Sequence, residues 1–228
     1  MKKLITFLLL AGLFPVVFGQ DCKMYLPATE NAQMEYKSFD KKNKLTGSSI
    51  QRIKEIKKSP GAIAATIEAE YFDSKGASQG KAEMTARCEK GVFYIDMKNY
   101  MNQQSMESYK DMEMSIEGGA LEMPSSLNVG DILKPGDMKM SFSSGGMTFM
   151  NLSISISNRK VEAIEDVATD AGTFSCYKIS YDATTKMGFT VSSKGVEYYN
   201  EDIGMVKTET FDKKGESMGY TILSSLRK

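Results

Sequence analysis

The sequence contains no histidine and no tryptophan. Without histidine, the chain has no Ser-His or Cys-His nucleophile pair and lacks the commonest side-chain ligand of transition metals. Without tryptophan, an aromatic sugar-binding platform must rest on tyrosine, yet Tyr198 and Tyr199 would point to opposite faces of a strand. We therefore predict a protein that is not an enzyme, with no catalytic residue, no metal site and no cofactor.

An excess of charge is also missing. The 29 basic residues balance the 29 acidic ones, so the total charge gives no indication of nucleic-acid binding or of attraction to a membrane. Beyond the first 19 residues, the sequence has no apolar run long enough to cross a bilayer. These absences predict a protein that binds no nucleic acid and does not span a membrane.

The first 19 residues have the three parts of a secretory signal. Two lysines precede an apolar run, and the run ends at the small residue Gly19. We expect cleavage between Gly19 and Gln20, which leaves residues 20–228 as a single antiparallel β domain. The short basic start is typical of bacteria, so the predicted destination is the periplasm or the outside of the cell.

Cysteine is scarce and odd in number, with Cys22, Cys88 and Cys176. In an oxidising compartment three cysteines predict one disulfide and one free thiol, and the sequence leaves open which two are joined. No two of them have C-x-x-C spacing, which argues against a redox motif or a zinc knuckle. A lipid on Cys22 is disfavoured because Gln20 and Asp21 stand where a lipoprotein signal has small residues.

Alternation of apolar and polar residues is the dominant pattern that the chain does have. In AIAATIEAEY, one face carries Ile63, Ala65, Ile67, Ala69 and Tyr71. The segments KAEMTARCEK and NLSISIS alternate in the same way, as antiparallel strands with one polar face do. We predict an all-β, mostly antiparallel fold: a large curved sheet or half-barrel of successive hairpins, with about ten to thirteen strands. At most one or two short helices are expected, one of them at residues 98–112.

A nine-residue pattern occurs three times, as FDKKNKLTG, FDSKGASQG and FDKKGESMG. Its aspartate caps the following N–H groups and begins a type I turn. Three residues later stands a residue that tolerates positive φ, namely Asn43, Gly76 or Gly215. The last glycine of each copy indicates a bulge or a close approach in the returning strand. The three copies therefore predict three hairpin tips with their lysines facing water.

Six further segments are spread over nearly all of residues 20–228. They are QDCKMYLP (20–27), MEYKSFDKKNKLTG (34–47), CEKGVFYIDMKNY (88–100), LNVGDIL (127–133), AGTFSCYKISYD (171–182) and GMVKTETFDKKGESMGY (204–220). With these segments the chain resembles the TapB-like family of secreted Bacteroidetes proteins. The resemblance implies a periplasmic or surface β half-barrel, similar to lipoprotein-carrier folds, and it implies no catalytic residue.

Methionine is unusually frequent, with 17 residues in all. The candidates for a ligand groove are Met112, Met114, Met138, Met140, Met147 and Met150. Unbranched, polarisable side chains suit a surface that accepts apolar ligands of variable shape. Two further readings are a Cu(I) site, since Cu(I) prefers soft sulfur ligands, and plain core packing. The sequence leaves open whether the interior is a groove or a packed core.

These features together predict a secreted or periplasmic, non-enzymatic binding protein whose ligand is a lipid or another apolar molecule. The alternative is a structural or protein-interaction module of the cell envelope. A Cu(I)-binding protein is a weaker alternative. So is a hydrolase that uses carboxylates of EAIEDVATD, residues 162–170, because charged residues mostly face water. The residues identify neither the ligand, nor a partner, nor the oligomeric state.

Overall fold

The computed structural model describes residues 22–97 and 112–228. The signal segment and its cleavage site between Gly19 and Gln20 lie outside the described residues, and so does the predicted helix except for Met112. Neither described range contains a helix long and apolar enough to cross a membrane.

One antiparallel sheet of 13 strands makes up the fold. In chain order the strands are β1 (Gln33–Asp40), β2 (Leu45–Ser59), β3 (Ala62–Asp73), β4 (Ser78–Glu89), β5 (Val92–Asp96), β6 (Glu113–Gly118), β7 (Ala120–Pro124), β8 (Gly136–Ser144), β9 (Met147–Thr169), β10 (Gly172–Met187), β11 (Phe189–Asn200), β12 (Gly204–Asp212) and β13 (Ser217–Arg227). Across the sheet they follow the order β6-β8-β9-β10-β11-β12-β13-β1-β2-β3-β4-β5-β7. The sheet curves until its two ends meet, which confirms the predicted all-β architecture in a nearly closed form.

The alternating segments form strands whose apolar face lies inside. On β3, the side chains of Ala65, Ile67 and Ala69 are buried. On β9, Ile154 and Ile156 are buried in the same core. Side chains alternate between the two faces of a strand, so the period-two pattern of the sequence decides which residues fill the interior.

All three copies of the repeat are hairpin tips, as predicted. Oδ1 of Asp40 accepts the backbone N–H groups of Lys42 and Lys44 at 2.8 and 2.9 Å. Asp73 and Asp212 each accept the equivalent pair of N–H groups. The third residue after each aspartate has positive φ: +60° at Asn43, +83° at Gly76 and +84° at Gly215. Each tip is therefore shaped by its own aspartate and by a residue that tolerates the left-handed conformation.

The last glycine of each repeat lies at a β-bulge. A Cβ atom on Gly47 would lie 2.7 Å from the carbonyl oxygen of Phe72, and one on Gly219 would lie 2.3 Å from that of Phe39. These two glycines thus sit against the phenylalanine carbonyl of the neighbouring copy. The strand order β12-β13-β1-β2-β3-β4 makes the three hairpins neighbours, although the third copy stands near the far end of the chain.

A single segment of chain forms both ends of the sheet. β6 pairs with β8, and the chain then continues through Gly118 and Gly119 into β7, which pairs with β5. Both glycines have positive φ, and a Cβ atom on Gly118 would lie 2.4 Å from the carbonyl oxygen of Asp137. Gly119 donates its N–H to that oxygen at 3.0 Å and accepts the N–H of Met97 at 2.7 Å. We call this junction of Met97, Gly118, Gly119 and Asp137 the seam.

Arg159 of β9 reinforces the closed sheet near the seam. Its side chain is buried, and Nη1 donates to the carbonyl oxygens of Glu122 at 2.8 Å and Lys134 at 3.0 Å. The guanidinium group therefore links β9 to β7 and to the loop before β8.

In the described part of the chain, the open rim of the barrel carries five hairpin tips. Because consecutive strands are antiparallel, the turns β1–β2, β3–β4, β8–β9, β10–β11 and β12–β13 all lie at one end of the sheet. Three of them are the tips of the repeat, and the other two are the turns at Gly145–Gly146 and Gly188.

The opposite end is closed by a plug, residues 22–32. Tyr25 is buried there, donates its O–H to the carbonyl oxygen of Pro124 at 2.8 Å, and packs edge-on against the ring of Tyr199. A disulfide between Cys22 and Cys88 fixes the plug to β4. The plug therefore closes the end of the barrel that lies opposite the five tips.

Candidate functional site

A cavity of about 670 Å³ occupies the interior of the barrel. It extends from Tyr25 and Leu26 of the plug to Thr46 and Asp73 beside the open rim. Small-molecule sites in proteins have volumes of roughly 300–1,000 Å³, so this space suits one bound small molecule.

One wall of the cavity is apolar and buried. Its side chains come from β3, β4, β5 and β9: Ile67, Met84, Ala86, Phe93, Ile95, Ile154 and Ile156. β5 and β9 lie on either side of the strands that close the sheet, and these residues share one core cluster with the buried side chains of β7 and β8. Such a surface favours the apolar part of a ligand.

The remaining wall is rich in hydroxyl groups. It is formed by β10 to β13 with β1 and β2, and its hydroxyl residues are Ser38, Thr46, Ser48, Ser49, Thr185, Ser193, Thr208, Thr210 and Thr221. Some of these groups bond each other, as Ser38 Oγ and Thr221 Oγ1 do at 2.8 Å. Because a hydroxyl group both donates and accepts hydrogen bonds, this wall can bind polar groups of either kind.

Two tyrosines bring phenol groups into the deep part of the cavity. Tyr181 lies flat across β11 because its neighbour there is Gly195, where a Cβ atom would be 2.0 Å from Cζ of the ring. Burial raises the pKa of Tyr181 and of Tyr199, and the negative charge of Glu197 raises both further. Both phenols are therefore protonated at neutral pH, and the phenol of Tyr181 is hydrogen-bonded to Thr208.

Glu197 and Arg159 are the buried charged side chains of the part of the chain that the structure describes, with 3 % and 1 % exposure. Glu197 lines the cavity, and Arg159 lies close enough for its positive charge to offset part of the rise in the pKa of Tyr181 and Tyr199. A buried charge is costly unless its surroundings compensate it. The deep end of the cavity is thus lined by one carboxylate and two phenols, and the guanidinium group of Arg159 lies close behind them.

Sequence reasoning missed Glu197 and Arg159. A signal for Glu197 exists in KGVEYYN, where it stands in phase with Gly195 and Tyr199 on the interior face of the strand. The expectation that the two adjacent tyrosines separate is confirmed: Tyr199 lines the cavity, whereas Tyr198 belongs to a second, outer cluster.

The six candidate methionines do not line the cavity. Four are buried or partly buried in the main core: Met112, Met138, Met140 and Met150. The other two, Met114 and Met147, are exposed. The candidate ligand site in the barrel is therefore a different surface from the one that the methionine pattern predicts.

The placement of the methionines has a physical reason in the closure of the sheet. Met138 lies beside Gly119 of the seam, and Met97 lies beside Gly136 at the start of β8. The space there is irregular because one chain segment changes its partner strand. A flexible, unbranched side chain fills such space well, which is the core-packing reading of the sequence.

The cysteines follow the expected count of one disulfide and one free thiol. Cys22 and Cys88 are joined, with their Cα atoms 5.6 Å apart, and Cys176 is free. Cys176 packs with Val167 and Val206 in the outer cluster, away from the disulfide. Burial and two nearby carboxylates raise the pKa of its thiol to about 12, so the thiol is protonated and unreactive at neutral pH.

The carboxylates of EAIEDVATD are engaged on the outside of the barrel. Glu162 accepts hydrogen bonds from Lys160 at 2.8 Å and Ser180 at 2.7 Å, and Glu165 pairs with Lys178 at 3.3 Å. None of the acidic residues in this segment lines the cavity. Within residues 22–97 and 112–228, no group of three or more His, Cys, Asp or Glu side chains is arranged to hold a metal ion.

Two solved structures share this fold. One is a protein of Bacteroides fragilis described as exported and as having a YmcC-like fold, with 23% identity and a TM-score of 0.78. The other is described as a lipoprotein of Parabacteroides distasonis, with 24% identity and a TM-score of 0.79. Each match covers 91% of this chain and 100% of the other. At this level of identity the likeness establishes the fold.

No protein of curated function matches this chain. The resemblance to TapB-like proteins stays a prediction, because the family that matches has a different description. That match extends over residues 29–223, from the plug to the last strand of the barrel. The chain belongs to the DUF3108-like family.

Proposed function

We propose that this chain is an exported, non-enzymatic protein that binds an amphiphilic small molecule in the barrel cavity. The observation that carries the proposal is the two-sided lining, apolar on β3–β5 and β9 and hydroxyl-rich on β10–β13, β1 and β2. A purely apolar ligand would leave the hydroxyl groups of one wall without hydrogen-bond partners. A purely polar ligand would leave the apolar wall in contact with water. A molecule with an apolar flank and a polar flank satisfies both walls.

Export is supported by the secretory pattern of the first 19 residues and by the description of the Bacteroides fragilis relative as exported. The Parabacteroides relative is described as a lipoprotein. In this chain the sulfur atom of Cys22 is bonded to that of Cys88, and a sulfur in a disulfide cannot also carry a thioether-linked lipid. The disulfide therefore argues against a lipid on Cys22. With Gly19 at the predicted cleavage position, we expect the exported protein to begin at Gln20 and to have the intact mass of an unlipidated chain.

Filling the cavity tests the binding site. Ala86 faces the cavity and Thr85, its neighbour on β4, is exposed on the opposite face. We expect Ala86→Trp to weaken the binding of a fluorescent fatty acid about tenfold or more, and Thr85→Trp to leave it unchanged. Uptake is measured by fluorescence titration, with the melting temperature of each variant recorded in parallel.

A second pair of variants serves as a check in case Ala86→Trp prevents folding. Ala183 lines the cavity nearer the rim, and Thr184 lies on the other face of β10. Ala183→Phe should weaken the same binding while Thr184→Phe does not. Native mass spectrometry of protein purified from its own host should show an adduct that the Ala183→Phe variant lacks. Equal binding in all four variants, or no uptake by the folded protein, contradicts the proposal and favours a structural module.

A further inference from the structure

Two hairpins of the open rim project beyond their neighbours. Ser193 of β11 pairs with Asp212, where the adjacent hairpin turns, and β10–β11 continues past that point to Gly188. The β8–β9 hairpin projects further still, because Ser153 pairs with Lys186 near the end of β10 and β9 then extends outward to Met147. Of the described part of the rim, the ends of these two hairpins therefore lie farthest out.

The projecting hairpins are uncharged and end in exposed apolar side chains. Residues 140–158 and 187–193 contain no charged residue, in a chain where a quarter of the residues are charged. The exposed apolar side chains at their ends are Met147, Phe149, Met187, Phe189 and Val191. Phe149 and Phe189 remain 62 % and 66 % exposed. Exposed phenylalanines on uncharged projections indicate an apolar contact surface.

The neighbouring part of the rim carries lysines. The three tips of the repeat bear Lys41, Lys42, Lys44, Lys75, Lys213 and Lys214. Within the described ranges none of these six forms an ion pair. The aspartate of each tip accepts backbone N–H groups of its own turn. The tips also carry Asp40, Asp73, Asp212 and Glu216, so six lysines against four acidic residues leave a net charge of +2 for interaction with an anionic surface.

We propose that the open rim docks on an anionic lipid surface, with the ends of the β8–β9 and β10–β11 hairpins in the interfacial layer and the tip lysines against lipid phosphates. Apolar side chains flanked by lysines are the combination that peripheral proteins use at such surfaces. The apolar residues project from two separate hairpins, which suits a fluid interface better than a flat protein partner. The balanced total charge of the sequence does not predict this surface, because only the fold brings the lysines of three distant segments together at one end of the barrel.

The cavity opens at the same rim, so docking would bring its mouth to the membrane. The inference does not rest on the cavity: rim docking can be measured with an empty or a filled barrel. Failure of rim docking and failure of ligand binding are therefore distinguishable.

Vesicle co-sedimentation of the exported protein tests the proposal. The probes are phosphatidylcholine vesicles with and without about one third phosphatidylglycerol. We expect binding to the anionic vesicles, and at least a tenfold loss in Phe149→Ser/Phe189→Ser. The matched control is Val129→Ser/Ile132→Ser, which removes two equally exposed apolar side chains from the loop between β7 and β8, at the plugged end. That control should bind as the unchanged protein does.

The lysines are tested in the same assay. Lys213→Gln/Lys214→Gln should weaken binding to anionic vesicles by roughly tenfold or more, since each lysine near such a surface contributes about fivefold. Lys57→Gln/Lys58→Gln, at the opposite end of β2, should have no such effect. The proposal is overturned by an absence of binding, by equal losses in rim and control variants, or by a solution dimer that Phe149→Ser/Phe189→Ser dissolves.

Discussion

Three aspartates shape the open rim at the scale of single residues. Each one accepts two backbone N–H groups of the turn that follows it. These hydrogen bonds lower the pKa of Asp40 and Asp73, because they favour the charged form of a carboxylate. The turn is completed by a residue of positive φ, which is asparagine in the first copy and glycine in the other two.

Substitutions in the third tip separate the backbone requirement from the side-chain requirement. Gly215 has a φ of +84° and open space around its Cα, so Gly215→Val is strained by conformation alone and should cost about 1–2 kcal/mol. The exposed Lys213 should tolerate valine within about 0.5 kcal/mol. Asn43→Gly should be neutral or slightly stabilising. Urea unfolding of the three variants is the measurement, and equal stability of the two valine variants would contradict the turn assignment.

The plug is the clearest case at the scale of an element. The segment 22–32 forms none of the strands. It is held by the disulfide at Cys22, by the buried ring of Tyr25, by an ion pair between Lys23 and Glu201, and by backbone hydrogen bonds to Ile53 of β2. Glu201 also accepts the O–H of Tyr177 at 2.8 Å. The hydrogen bonds from Lys23 and Tyr177 hold the pKa of Glu201 below its ordinary value near 4.5.

The attachment of the plug should depend on pH. A lowered pKa in the folded state means that Glu201 contributes its stability above about pH 4.5 and loses it as the pH falls below that value. Glu201→Gln should therefore reduce stability at pH 7 by less than about 1 kcal/mol, because the pair is partly exposed. The difference from the unchanged protein should vanish toward pH 3.

Urea unfolding at a series of pH values measures that difference. Glu216→Gln, at an exposed tip of the open rim, is the matched control and should follow the profile of the unchanged protein. A difference for Glu201→Gln that persists unchanged at pH 3 would show that the carboxylate charge is not the cause.

Closure of the barrel belongs to the scale of the whole molecule. The seam joins the ends of a sheet whose strands come from the entire chain, and Arg159 connects β9 to β7 and to the loop before β8. Burial of Arg159 costs free energy, because its Nη2 is a buried nitrogen for which the described part of the molecule offers no hydrogen-bond partner. Such a cost is tolerated where the remaining bonds fix the architecture.

Arg159→Met should destabilise the barrel by about 3 kcal/mol, since it removes two charge-assisted hydrogen bonds and leaves the carbonyl groups of Glu122 and Lys134 without them. Arg87→Met is the control. Arg87 is half exposed, pairs with Glu89 and lies over the ring of Tyr94, so its loss should cost less than about 1 kcal/mol. Thermal unfolding checks both, and equal effects would contradict the role of Arg159 in closure.

Local features of the sequence determined the strands and the tips. Alternation identifies the interior faces of β3, β4 and β9, because side chains of a strand alternate whatever the strand pairs with. The repeat identifies three turns, because an aspartate and a residue of positive φ act within five residues of chain. The separation of Tyr198 from Tyr199 follows from the same alternation.

Tertiary structure decided what depends on neighbours distant in the chain. Which cysteine joins Cys88, which hairpins lie side by side, and where the methionines pack are all set by the curvature and closure of the sheet. The cavity combines residues of the plug and the barrel. The two buried charged residues, Arg159 on β9 and Glu197 on β11, are far apart in the sequence. These side chains become buried and close to one another only when strands that are distant in the sequence pair. No pattern along the chain indicates which distant strands will be neighbours.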